Sequence, residues 1–349
     1  MFGLLLFACN SSSKETGQLE PSSESIVEWK TALEGDERGA YLSAWGVTSN
    51  DLWIVGGQFD AGIVLRGDIE DPTSWTTTPL PQGTPLLNWV HGTSSDNIWV
   101  GGLFGTLLRW NGSDWENHTI MTESDQGAVP IDEAFWGVHT LSETEAIAVG
   151  GESRWGGEKA IIYHWDGTTW TSIPLPDELS ELTNLFKVHH DGSKYWLVGA
   201  SGAALYGDSA QWTPIPTGIA TDLITVTHPQ EASESLIVGG RGTGVMFKGN
   251  GGSTPNLSSV SELIAGINGV FGLGSSGENN DALIVGERGY GAFIDTETGE
   301  LTELTAITLS ILHASYGFKT EDSEHYVAVG GNLFTADEYF KGTVLTLSR

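Results

Sequence analysis

The chain has 349 residues with 45 acidic and 15 basic side chains, a net charge of −30 and a single cysteine, Cys9. One thiol excludes an intrachain disulfide and a cysteine-built zinc centre, and the acidic field argues against nucleic acid as a partner. The acids are scattered rather than blocked, as on a highly soluble surface. Glycine (47) and tryptophan (14) are abundant, which suits many short strands joined by tight turns.

The chain opens on an apolar run, Met1 to Ala8, directly before Cys9. With Leu6 three residues and Ala8 one residue ahead of the cysteine, it resembles the lipobox of bacterial lipoprotein signal peptides. It departs from that pattern in having no Lys or Arg before the apolar run and in the shortness of the run. The resemblance implies cleavage after residue 8 and acylation of the Cys9 thiol. Asn10, where inner-membrane lipoproteins carry Asp, is similar to the outer-membrane sorting class. The expectation is an exported outer-membrane lipoprotein, facing the periplasm or the cell surface and touching the membrane only through its lipid. Residues 9–25 are polar and read as a disordered tether. No later stretch is long and apolar enough to span a bilayer as a helix.

Beyond the tether the dominant signal is internal repetition. An apolar strand ending in Val-Gly recurs seven times, with its valines at Val55, Val100, Val149, Val198, Val238, Val285 and Val329. Successive spacings are 45, 49, 49, 40, 47 and 44 residues, the length of one four-stranded propeller blade. An apolar segment ahead of each Val-Gly reads as inner strand A, with a bulky column of Trp45, His91, Trp136, His189, Thr227, Phe271 and His313. The Val-Gly strand is B, with Trp53, Trp99 and Trp196 recurring in it. Asp51, Asp96 and Asp191 fall in the A–B turns, where a short carboxylate caps backbone donors. Strand C follows, then strand D opening on Trp75, Trp115, Trp170 or Trp212, with Leu257 and Leu304 in the two blades that lack the tryptophan.

The last blade runs out of sequence after its strand C, residues 342–347, while residues 26–31 read as a strand D with Trp29 in the tryptophan column. The N-terminal strand is therefore expected to complete the seventh blade and remove the open sheet edges. The fold class is all-β, a seven-bladed propeller over residues 26–349. Tyr163 followed after six residues by Trp170 resembles a kelch repeat, and the turn Asp166-Gly167-Thr168-Thr169-Trp170 resembles the Asp-box of BNR propellers, though without the residue that separates Asp from Gly there.

With this strand order the B–C and D–A loops share one face. The first residue past each Val-Gly triplet makes a ring: Gln58, Leu103, Glu152, Ser201, Arg241, Arg288 and Asn332. Two of only seven arginines, Arg241 and Arg288, stand in neighbouring equivalent loops, with Glu287 and Tyr290 beside them and Arg154 and Trp155 in the third blade's loop. Such forks suit a carboxylate or sulfate, and the aromatics offer apolar or sugar-stacking faces. Against this, the surplus of carboxylates makes simple ion pairing the plainer expectation. His91, His189 and His313 read as packing residues in blades spread around the ring, and neither a metal nor a cofactor is expected. A resemblance to sialidases would imply an arginine triad with a Tyr–Glu pair, roles that Arg154, Arg241, Arg288, Tyr290 and Glu287 would have to fill without a specific motif.

The reading that follows is a monomeric, non-catalytic binding or assembly platform at the bacterial envelope, recognising a protein segment or a glycan. This rests on what propellers commonly do. A carbohydrate-active enzyme using the B–C loop face and a purely structural envelope lipoprotein stay open beside it.

Overall fold

The computed structural model describes residues 27–125, 127–263, 265–273, 281–320, 322–333 and 339–349. The apolar leader, Cys9 and the tether lie outside the described residues. Seven four-stranded antiparallel sheets follow one another along the chain. From the channel outward, blade 1 is Ala40–Gly46, Leu52–Gln58, Ala61–Gly67 and Thr76–Thr77; blade 2 is Leu87–Ser94, Asn97–Gly102, Leu107–Trp110 and Trp115–Asn117. Blade 3 is Ala134–Ser142, Glu145–Gly151, Ile161–Trp165 and Trp170–Ser172; blade 4 is Leu185–His190, Tyr195–Gly199, Ala204–Asp208 and Gln211–Pro214. Blade 5 is Leu223–Thr227, Ser235–Gly239, Gly244–Asn250 and Asn256–Leu263; blade 6 is Ile267–Gly272, Asp281–Gly286, Gly291–Asp295 and Leu301–Glu303. Blade 7 takes Leu312–Lys319, Glu324–Gly331 and Gly342–Ser348 from the end of the chain and Lys30–Asp36 from its start. A short hairpin, Met121–Ser124 with Gly127–Pro130, is inserted between blades 2 and 3.

The ring closes as expected. Lys30 lies opposite Thr346 in an antiparallel pair, which sets Trp29 beside Leu347. Trp115, Trp170 and Trp212 occupy the same place beside Trp110, Trp165 and Gly207. Trp29 is buried against Phe293 and Tyr326. In blade 5 Leu257 takes the tryptophan position opposite Gly249. In blade 6 it is Leu301, opposite Ile294, rather than Leu304.

The recurring glycine has a steric cause. In every blade the strand-B glycine faces the strand-A residue just before a bulge, and a Cβ there would overlap the carbonyl of the residue preceding that one. The seven glycines in this role are Gly56, Gly102, Gly150, Gly199, Gly239, Gly286 and Gly330. Blade 2 thus uses the second of its two glycines, one residue later than its Val-Gly pair suggests, and Gly101 stands where other blades have valine. The shift aligns Trp99 with Trp53 and Trp196, each three residues before its glycine. Trp53 packs on Trp110 and Trp115 of blade 2, and Trp99 packs on Trp165 and Trp170 of blade 3. Trp196 lies over Gly249 of blade 5. These contacts between blades bury large apolar surfaces where each sheet meets the next.

The turns are closed by short polar side chains. Asp166 Oδ1 accepts from the Thr168 hydroxyl and from the amides of Thr168 and Thr169, and these bonds, the hydroxyl's first, pull its pKa down to about 2. Asn111, Asp208 and Asp295 close the C–D turns of blades 2, 4 and 6 in the same way. Of the A–B turn acids, Asp191 caps backbone amides, those of Ser193 and Lys194. Asp51 instead receives Trp53 Nε1 and Arg66, and Asp96 receives the Ser94 hydroxyl.

Candidate functional site

Each strand A carries a β-bulge immediately after the residue that faces the glycine. A bulge adds one residue to one strand and turns its side chain out of the ladder. The seven bulged residues are Leu42, Asn88, Trp136, Phe186, Ile224, Asn268 and His313, and all seven line one cavity of about 460 Å³ at the centre of the ring. The cavity opens on the face of the B–C and D–A loops, which add Glu152, Arg154, Trp155, Arg241, Glu287 and Leu333 to its wall. Repetition of a backbone irregularity has built a funnel whose lining varies around the ring, with only Asn88 and Asn268 alike among the seven bulged residues.

Trp136 and His313 therefore belong to this lining and not to the bulky column in which their sequence positions suggested them. That column lies three residues further along strand A and consists of Trp45, His91, His139, His189, Thr227, Phe271 and Tyr316, each opposite the strand-B position of Trp53. Its rings touch from blade to blade: Trp45 to His91 at 6.1 Å, His91 to His139 at 3.9 Å, His139 to His189 at 4.6 Å and Phe271 to Tyr316 at 4.5 Å. The imidazoles thus gather in blades 2, 3 and 4. Burial drives the pKa of His91 and of His189 down to about 3 and holds His139 well below its ordinary value. They form a neutral packed floor beneath the funnel.

Above that floor Lys187 lines the channel. It sits on strand A of blade 4 next to the bulge and is 8% exposed. Its Nζ donates to the Trp136 carbonyl of blade 3 at 2.7 Å and lies 4.1 Å over the Trp89 ring of blade 2. Burial pushes its pKa down to about 7, and it is near enough to His313 of blade 7 to disfavour protonation there. No carboxylate pairs with Lys187 among the described residues. Asn88 Nδ2 donates to the Phe135 carbonyl of the next blade, and its buried Oδ1 has no donor among the described residues.

At the mouth, one side is filled by aromatics. Trp155 reaches from blade 3 to Phe59 of blade 1 at 5.0 Å and to Phe340 of blade 7 at 6.2 Å, and Phe59 meets Phe104 of blade 2 at 5.8 Å. Gln58 bonds both backbone groups of Phe340, at 2.8 Å each. Arg154 stacks on Trp155 and donates to the Leu333 carbonyl at 2.8 Å, with no carboxylate partner among the described residues. Of the sequence-predicted residues, Arg154, Trp155, Arg241 and Glu287 share the funnel wall, whereas Arg288 and Tyr290 are not part of it. Arg241 is paired with Asp222 through Nε and Nη2, at 3.1 and 2.9 Å. Glu287 accepts from the Gly242 amide at 3.1 Å. Tyr290 packs against the core of blade 6 and donates to Glu303, and burial raises its pKa to about 12.

Arg241 and Arg288 differ because their turns differ. Arg288 has φ 56° and is followed by Gly289 at φ 70°, a pair of left-handed residues that Phe104-Gly105 and Ser201-Gly202 repeat in blades 2 and 4. This turn leaves Arg288 exposed outside the funnel. The equivalent of Gln58 in blade 2 is accordingly Phe104, not Leu103, which is buried. Sequence reasoning found the loops but missed Lys187, Trp136 as lining, and the bulge column, whose members follow no common residue type.

Fold and site together define a seven-bladed β-propeller with a central funnel open on the B–C and D–A loop face. No family model matches the sequence, and no curated protein matches it either. Among solved structures, the chain is similar to the WD40 β-propeller domain of Doa1, with a TM-score of 0.62 at 9% identity over 93% of this chain and 97% of that one. It is also similar to YCF48 from Cyanidioschyzon merolae, at 0.62 and 15% identity over 90% and 98% of the two chains. YCF48 bound to a D1 peptide scores 0.61 at 13% identity, over 91% and 94%. At these identities the likeness is one of fold.

Proposed function

We propose that this propeller is a non-catalytic binding platform that takes a segment of a partner protein into the funnel on its B–C loop face. The observation that carries the reading is the funnel itself: seven bulged side chains converge on one cavity, apolar in Leu42, Trp136, Phe186 and Ile224 and polar in Asn88, Asn268 and His313. Concave, mostly apolar walls with a few placed polar groups are what a docked segment needs. The fold neighbour YCF48 is known bound to a D1 peptide, which supports a peptide over a glycan. The sialidase-like alternative needs free arginines converging with Tyr290; Arg241 is committed to Asp222, and Arg288 and Tyr290 lie outside the cavity. The envelope setting is part of the proposal: Cys9 anchors the chain by lipid and residues 10–25 hold the propeller off the membrane, with partners drawn from envelope proteins.

A peptide-array screen with the full chain tests this, run beside a Phe186→Ala/Arg154→Ala double variant. Peptide ligands lost in the variant support the funnel as the site. Ligands that bind both proteins equally place recognition elsewhere, and glycan binding without peptide binding overturns the choice of partner.

A further inference from the structure

The buried cation in the channel asks for an explanation of its own. In a chain with three acidic residues for every basic one, Lys187 is buried with no carboxylate partner among the described residues. Among the described residues it is held only by the Trp136 carbonyl and the face of Trp89. An ammonium has three N–H donors, so two have no protein acceptor among the described residues. Burying an unpaired charge is costly unless a counter-charge arrives. At the equivalent position of the neighbouring blade stands Gly137, where a Cβ would come within 3.0 Å of the Lys187 Cα and the Phe186 carbonyl, so the two strands lie in close backbone contact beside the lysine. The side chain sets an ammonium at the bottom of the funnel, above the neutral histidines and under apolar walls, and Arg154, with no carboxylate partner among the described residues, stands at the rim.

We propose that the funnel floor is a carboxylate seat, in which Lys187 receives a carboxylate borne on an apolar stem, either the C-terminus of a peptide or a small organic acid. This rests on the reading of the funnel as the binding site and gives its occupant a chemistry. The ammonium's two remaining donors bond the carboxylate oxygens, and Trp136, Phe186 and Ile224 surround the stem. A charge-assisted pair formed out of water is stronger than a neutral one.

The test uses the full chain labelled with 13C at lysine Cε. Benzoate against benzamide, and a tripeptide ending in phenylalanine as free acid against its C-terminal amide, are titrated by calorimetry and followed at the Lys187 resonance. At least one acid is expected to bind roughly tenfold or more tighter than its amide, to move the Lys187 signal and to lose that preference in Lys187→Met. Benzoate alone responding names a small acid as the occupant, and the tripeptide acid alone names a peptide terminus; either supports the seat. Acids that bind no tighter than amides, or that leave the Lys187 signal unmoved, overturn it. Because the resonance is read in the unaltered protein, the result does not depend on the variant folding. Peptides that bind in the funnel equally well as acids and amides sink the seat and leave the platform. An acid that shifts Lys187 while no peptide is captured keeps the seat and sinks the platform.

Discussion

His91 and His139 stack with ring centroids 3.9 Å apart although they belong to different blades, and His189 closes on His139 from the other side at 4.6 Å. Packing three imidazoles this closely requires them to be neutral. In the unfolded chain each titrates near 6.5, whereas burial holds His91 and His189 down to about 3 in the fold. Between those values the unfolded state holds more protons. Stability is therefore complete above pH 6.5 and is lost as pH falls toward 3, by up to roughly 1.4 kcal/mol per pH unit for each imidazole. Urea midpoints at pH 7.5 and 4.5 should show a steep acid loss that His139→Phe reduces. An acid limb unchanged in the variant would show that these rings do not govern it.

The closing strand makes a second prediction. Lys30–Asp36 covers the outer edge of Gly342–Ser348, and Trp29 is 6% exposed. Deleting residues 1–36 should expose that edge, lower the melting temperature and promote aggregation. Trp29→Ala in the full chain should cost about 3–5 kcal/mol, as for other buried tryptophans. A melt unchanged by the deletion would rule out a stabilising role for the closure.

The two adjacent glycines of blade 2 separate the sequence register from the structural one. A Cβ on Gly102 would meet the Leu86 carbonyl at 2.6 Å, inside any normal contact, whereas on Gly101 the nearest atom is the Phe135 Cβ at 3.0 Å. Gly102→Ala should destabilise by several kcal/mol, in the range of overpacked cores, and Gly101→Ala by clearly less. Equal costs, or the reverse order, would restore the register read from Val100-Gly101.

What the sequence reveals and what it hides follow from the same glycines. Seven close approaches between strands A and B demand a residue without a Cβ, so the blade count and the closing strand were legible. In blade 2 the run Val100-Gly101-Gly102 satisfies the pattern in two registers, and only the ladder decides between them. The funnel was not legible, because a bulge is a backbone event and Leu42, Asn88, Trp136 and His313 share no chemistry. Lys187 stood alone in a column with Ser43, Trp89 and Thr225. Arg241 and Arg288 look equivalent in sequence, but left-handed backbone at Arg288 carries it away from the funnel.

Lys187 also has an alkaline signature. Its pKa is pushed down to about 7 by burial from an unfolded value near 10.5, so between those values the unfolded state again holds the extra proton. The contribution to stability is complete above pH 10.5, is lost as pH falls, and is flat below about 7. Relative to Lys187→Met, the wild-type protein should gain stability between pH 7 and 9.5. Parallel stability curves for the two proteins would mean that the amine is not desolvated in the fold.

A photo-crosslinker placed in the funnel wall reports whether the funnel receives a partner segment, as proposed. Full-length protein carrying Ile224→benzoylphenylalanine in the funnel wall is compared with Thr213→benzoylphenylalanine on the exposed outer strand of blade 4. Envelope extracts should yield a discrete adduct from position 224, mapping to one short segment of a partner and reduced by Arg154→Ala, and none from position 213. Adducts from position 213 alone, or an adduct at 224 that Arg154→Ala leaves unchanged and that maps to no defined segment, would contradict it.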